Sequence, residues 1–171
     1  MVVATLGLNA QAKILESGTQ ATEKINWMSW DEAIAANKIK PKKIFVDIYT
    51  DWCGYCKKMD ATTFKDPSVV EEMNNSFYAV KFDAEMKEDI TFNDAVFSFV
   101  NTGRRGAHQL AFALVDGRMS YPSFVLLDES FQRVMLTPGY QTPDRLIPQL
   151  KYTSTNAYKT KNFGAFQSSG E

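Results

Sequence analysis

The sequence predicts an α/β fold, a central mixed β-sheet flanked by helices, and two kinds of observation predict it. Four short runs of apolar, β-branched and aromatic residues, at 44–49, 78–83, 123–127 and 131–136, have the length and composition of buried strands. Helix-start signals stand among them: Ser29 with Glu32, Asp66 with Pro67, and Thr142 with Pro143. Strands and helices interleaved along one chain bury their apolar faces by stacking helices on a sheet.

Taken in order, the elements read as follows. Residues 25–27 form a short strand, and Ser29 caps a helix through Asn37 with the capping-box partner Glu32 three positions on. Pro41 and its neighbouring lysines end that helix. The run 44–49 is a central strand interrupted by one polar residue, Asp47. A turn containing Cys53 and Cys56 leads into a second helix, and Asp66-Pro67 restarts a helix over 68–74. Residues 78–83 are the next strand. Residues 90–92 and 97–99 alternate apolar and polar about Asn93-Asp94, the pattern of a small hairpin. Residues 107–115 are apolar at helical spacing and stop at Gly117. Strands at 123–127 and 131–136 are joined through Asp128-Glu129-Ser130, and Thr142-Pro143 opens the last helix. Residues 159–171 read as a mobile tail.

Composition removes several function classes. The 171 residues carry 19 basic and 20 acidic side chains, a net charge of −1, which provides no basic field for nucleic acid or for anionic membranes. With 44% hydrophobic and 23% charged residues the chain is an ordinary folded domain, long enough to hold a core without metals or disulfides. Two cysteines and one histidine cannot complete a four-ligand zinc site without carboxylates. The apolar run 2–8 is too short to span a bilayer, and no later segment qualifies. Followed by the small-x-small triplet Ala10-Gln11-Ala12, that run reads as a secretion signal with a truncated start, and 1–24 as signal remnant and linker.

Cys53-x-x-Cys56 carries the chemistry. Two thiols at the start of a helix that follows a strand can close a small disulfide ring. The helix N-terminus directs N–H groups and positive partial charge at the first sulfur and stabilises a thiolate. Cys53 is therefore expected to be the exposed nucleophile and Cys56 the buried resolving thiol. Metal binding and an inert structural bridge are the competing readings, but no further cysteine exists to complete a Cys₄ site.

At this point the chain resembles the thioredoxin superfamily. Val46-Asp47 through Trp52-Cys53-Gly54-Tyr55-Cys56-Lys57 is similar to the strand and active-site turn of thioredoxin, with a carboxylate six residues before the first cysteine. Lys81 resembles the lysine beside that carboxylate, Tyr121-Pro122 the cis-proline, and Gly139 the glycine ahead of the last helix. The run 47–53, with Cys56-Lys57 and 63–67, is closer still to the thioredoxin-like domain of bacterial membrane thiol reductases that work in the periplasm.

The resemblance implies a thioredoxin fold over 25–158, with an insertion at 84–120 between the third strand and Pro122. It implies a thiol–disulfide oxidoreductase that is periplasmic or otherwise extracytoplasmic, with Cys53, Cys56, Asp47 and Lys81 in catalysis. Trp52, Gly54, Tyr55, Tyr121 and Pro122 would contact substrate. No cofactor is implied beyond the redox-active disulfide. The partners are a protein disulfide substrate and a thiol electron donor, and the chain is expected to be a monomer. Alternatives on the same fold are a copper(I) metallochaperone and a docking module whose disulfide stays closed. Tyr55 stands where thioredoxin has proline, so the redox potential does not transfer. His108, with no Cys or Ser nearby in sequence, reads as structural or surface.

Overall fold

Seven residues, Lys43–Tyr49, form the strand on which the site is built, and all but the last are buried. The computed structural model describes residues 24–101, 103 and 105–170. The signal-like run and its small-x-small triplet lie outside the described residues. The strands are β1 (Trp27–Met28), β2 (Lys43–Tyr49), β3 (Phe77–Asp83), β4 (Ile90–Phe92), β5 (Ala95–Phe97), β6 (Phe99–Val100), β7 (Ala107–His108), β8 (Ser123–Leu127) and β9 (Arg133–Pro138). The helices are α1 (Trp30–Ile39), α2 (Gly54–Ala61), α3 (Pro67–Ser76), α4 (Gln109–Leu114), α5 (Pro143–Ser154) and α6 (Phe163–Ser168).

Five strands make the main sheet in the order β1-β3-β2-β8-β9. The pairs β1–β3 and β2–β3 are parallel, whereas β2–β8 and β8–β9 are antiparallel, so the sheet is mixed. Because strand side chains alternate between faces, β2 serves two cores. Ile44, Val46 and Ile48 pack with Trp30 and Ala33 of α1 and Leu110 and Ala111 of α4. Phe45 faces the other way, with Met59 of α2, Val69 and Met73 of α3, and Leu146 and Leu150 of α5. Asp47 shares the parity of Phe45, which sends a carboxyl into the apolar layer beneath α2.

The helix starts follow their signals. Ser29 and Glu32 form a reciprocal capping box, with the Glu32 backbone N–H donating to Ser29 Oγ and the Ser29 N–H donating to Glu32 Oε2 at 2.7 Å. The Asp66 carboxylate accepts from the Ser68 and Val69 amides ahead of α3.

Three expectations need correction. The hairpin about Asn93-Asp94 pairs β4 with β5 and ends at Phe97, and Phe99 belongs to a separate ribbon, β6–β7. Asn93 and Asp94 adopt left-handed backbone, so a tight turn closes after Phe92 and leaves Phe99 beyond the hairpin. The helix expected from residue 107 starts at Gln109, because His108 is its N-cap and accepts from the Leu110 amide. Finally, the tail after Lys159 is not a mobile end over 163–168. It forms α6, with Phe166 only 2% exposed and its ring 5.4 Å from that of Tyr152.

Candidate active site

The chain leaves β2, turns at Thr50-Asp51-Trp52, and enters α2 at Gly54, so Cys53 becomes the helix N-cap. The Cys53 N–H donates to the Thr50 carbonyl at 3.1 Å, which closes the turn. Cys53 and Cys56 form a disulfide with Cα atoms 5.3 Å apart. The Cys56 backbone N–H points at Cys53 Sγ, 3.0 Å away. That donor and the positive end of α2 stabilise negative charge on this sulfur once the bond opens. Cys53 is less exposed than expected, at 5% against 2% for Cys56. Closing the ring draws the first sulfur against the helix end, and the exposed surface of the turn belongs to its neighbours Trp52 and Tyr55.

Two aromatic pairs flank the cysteines. Trp52, 49% exposed, meets Tyr121 edge-to-face at 5.6 Å, and Tyr55, 62% exposed, lies 6.0 Å from Tyr140. The Tyr121–Pro122 peptide is cis, and the Pro122 carbonyl accepts from the Gly139 amide at 2.8 Å. Gly139 has φ of +88°, a left-handed conformation that favours glycine there. Gly54 opens α2 with no atom within 4 Å of where a Cβ would sit, so the helix start is bare on that side.

A charged cluster lies between β2, β3 and α2. Asp47 and Lys81 are register partners across the parallel β2–β3 pair, and Lys81 Nζ bonds Asp47 Oδ2 at 2.6 Å. Lys81 also pairs with Asp60 on α2, and the Trp27, Tyr49 and Phe64 rings lie 5.0, 5.0 and 5.2 Å from its ammonium. Asp47 is 1% exposed and its Oδ1 is buried without a hydrogen-bond partner. Burial pushes its pKa up to about 6, and the Lys81 charge only partly opposes this. Burial pulls the Lys81 ammonium down, but its two carboxylate partners outweigh that, and its pKa is raised.

Sequence reasoning singled out Asp47 and Lys81 but missed Asp60, Glu85 and Arg105. Asp60 carried a signal: it follows Cys56 by four residues and so shares its helix face. Glu85 accepts the Trp52 indole N–H at 3.1 Å. The Arg105 guanidinium stands 3.8 Å from the Trp52 ring centre, and nothing local in the sequence announces it. His108 is fully buried against Phe82 at 5.5 Å, and its Nε2 bonds the Glu88 carbonyl. Among the described residues, no group of three or more His, Cys, Asp or Glu side chains is arranged to hold a metal ion. Nor is any helix among them long and apolar enough to cross a membrane.

Comparison with known proteins places this arrangement. The family model Thioredox_DsbH, described as a protein of unknown function, DUF255, matches residues 10–129. A thiol:disulfide interchange protein DsbD of Pseudoalteromonas atlantica is 33% identical over 70 residues, 41% of this chain and 11% of that protein. The chain therefore spans about a tenth of that relative's length. Among solved structures, a DsbH oxidoreductase superposes with a TM-score of 0.57 at 17% identity, covering 91% of this chain and 96% of the other. A thioredoxin from Thermus thermophilus gives 0.55 at 17% identity, covering 75% and 85%. Those two likenesses establish the thioredoxin fold, while the family match covers more than half of the chain and includes both cysteines. The chain belongs to the Thioredox_DsbH family and has the thioredoxin fold.

Proposed function

We propose that this protein is a reductant of protein disulfides that works outside the cytoplasm. The observation that carries the reading is the buried Asp47 carboxyl, with a pKa near 6 and one oxygen unpartnered, on the strand that runs into the Cys53 turn. A strong oxidant over-stabilises its reduced thiolate. An ionised carboxylate buried on the strand that leads into the dithiol turn works against that by raising the cost of a second negative charge. The signal-like run 2–8 and the compartments in which substrate disulfides persist support the localisation.

In the reaction, the Cys53 thiolate attacks one sulfur of the substrate disulfide. A Cys53–substrate disulfide forms and the other substrate sulfur leaves as thiolate. Asp47 accepts the Cys56 proton, and the Cys56 thiolate attacks Cys53 Sγ. The second substrate sulfur is released, and two electrons have passed to the substrate. A thiol donor then reduces the Cys53–Cys56 disulfide. Trp52, Tyr55, Tyr121 and the Pro122 turn supply the apolar rim on which the substrate lies.

Two measurements test the reading. Cys56→Ser should trap substrate on Cys53 as a mixed disulfide that reductant releases; no adduct would remove the assigned order of attack. Equilibration with glutathione should give a potential well below the ~−120 mV of strong oxidants. A value as oxidising as that would overturn the direction. A copper(I) metallochaperone would instead hold the ion in the reduced protein and turn over no disulfide.

A further inference from the structure

The insertion between β3 and β8 reaches the candidate active site through one side chain. Arg105 lies in the loop joining β6 to β7, and its guanidinium packs over the Trp52 indole at 3.8 Å. The same indole donates to Glu85 at 3.1 Å and meets the Tyr121 ring at 5.6 Å. A half-exposed tryptophan next to the first cysteine is thus touched by three groups that lie 33, 53 and 69 residues away in sequence.

The loop that carries Arg105 is itself anchored. Phe99 pairs with His108 and Val100 with Ala107. At Gly106 an added Cβ would fall 2.5 Å from the Val100 carbonyl oxygen and closer still to the Phe99 ring, so only glycine lets the ribbon close. The His108 N–H donates to the Ala84 carbonyl at 2.7 Å, and His108 Nε2 bonds the Glu88 carbonyl at 3.1 Å. The segment that presents Arg105 is therefore tied to the segment that presents Glu85.

We infer that Arg105 is a positioning residue that sets substrate specificity, holding Trp52 with Glu85 as a preformed rim beside Cys53 for docking a protein disulfide. The inference rests on the reductase reading above. A large side chain that is already ordered loses less freedom when a partner lands on it, so clamping Trp52 favours protein substrates over small disulfides that do not span the rim. Releasing the clamp leaves the indole in place in sequence but unfixed in direction.

The test uses pre-reduced full-length protein in single turnover against insulin, with hydroxyethyl disulfide as the small reference. An exposed cation–π contact corresponds to roughly a two- to five-fold change in an equilibrium constant. Arg105→Ala should raise the half-saturating insulin concentration about two- to five-fold with the limiting rate changed less. The ratio of insulin to hydroxyethyl disulfide efficiency should fall by a similar factor, and Arg105→Lys should lie between. Acrylamide quenching of Trp52, taken as the difference between each protein and its Trp52→Phe partner, should increase in Arg105→Ala whatever the activity. Unchanged quenching, or an unchanged efficiency ratio with wild-type protein active on both substrates, would overturn the role of Arg105. Wild-type protein that reduces hydroxyethyl disulfide but not insulin would instead overturn the reading of the substrate as a protein.

Discussion

Replacing Asp47 by asparagine removes one charge and almost no volume from the layer between β2 and α2, and the consequence for stability can be worked through. The carboxyl titrates near pH 6 in the folded protein against an ordinary value of 3.8. Between those two pH values the native state binds more protons than the unfolded chain, so stability falls as pH rises through that window. At 1.36 kcal/mol for each pH unit, the ionised carboxylate costs the fold about 3 kcal/mol above pH 6. The attraction of Lys81 is already contained in that folded-state value, and Lys81 keeps its ion pair with Asp60 when Asp47 is neutralised. Asp47→Asn should therefore be more stable than the wild type at pH 7, by up to about 3 kcal/mol. For a chain of this size that is roughly 6–12 °C in Tm, at 2–4 °C for each kcal/mol. Near pH 4 the two proteins should converge. Chemical denaturation of the oxidised forms at pH 4, 5, 6, 7 and 8 measures the difference. A gap that does not vary with pH, or a variant less stable than wild type at pH 7, would show that Asp47 is not held as a costly buried charge. The same substitution should slow insulin reduction, because an amide cannot accept the Cys56 proton.

Other consequences follow from single contacts. Iodoacetamide applied to the reduced protein between pH 5 and 9 should modify Cys53 before Cys56, and mass spectrometry that finds Cys56 labelled first would reverse their roles. Ser29→Ala removes the capping box of α1 and should cost about 0.5–2 kcal/mol by urea denaturation; no loss would mean that α1 is held entirely by its packing. Phe166→Ala should cost at most about 3–5 kcal/mol and raise amide exchange across α6, and a neutral effect would return this segment to the status of a frayed end. Burial lowers the pKa of His108, with the Glu88 carbonyl opposing it. The stability His108 contributes is therefore present above its unfolded value of about 6.5 and lost as pH falls below it. His108→Gln should flatten that part of the pH profile, and an unaltered profile would show that His108 does not titrate with unfolding.

What could be read in the sequence follows the range of the interactions involved. The strand 44–49, the capping box at Ser29 and the Asp66-Pro67 helix start are signalled by residues within one turn or one strand of each other, and each stands within a residue or two of its expected place. The dithiol turn was legible for the same reason, since its chemistry depends on the helix end that follows it. The pairing of Asp47 with Lys81 spans 34 residues and came from resemblance, and the register that sets them opposite one another is a property of the β2–β3 ladder. The tail was misread because 159–171 is polar, and its aromatic residues Phe163 and Phe166 gain meaning only once Tyr152 of α5 offers a surface for them.

The insertion marks where local reading stops, and why. Its strands are two or three residues long, too short for alternation to separate a strand from a turn, so the second ribbon could not be told from the first. Glu85 and Arg105 look like solvated charges in sequence, the ordinary fate of such residues. They meet at Trp52 only because Gly106 lets the ribbon close against Phe99 and His108 fastens that ribbon to the strand end at Ala84. Residues 47–56 run from a strand through a turn into a helix start, so the reactive pair is built by local structure. The rim a partner would meet combines Trp52 and Tyr55 of the turn with Tyr121 and with Glu85 and Arg105 of the insertion. Asp47→Asn should therefore change reactivity and Arg105→Ala partner choice, each with little effect on the other.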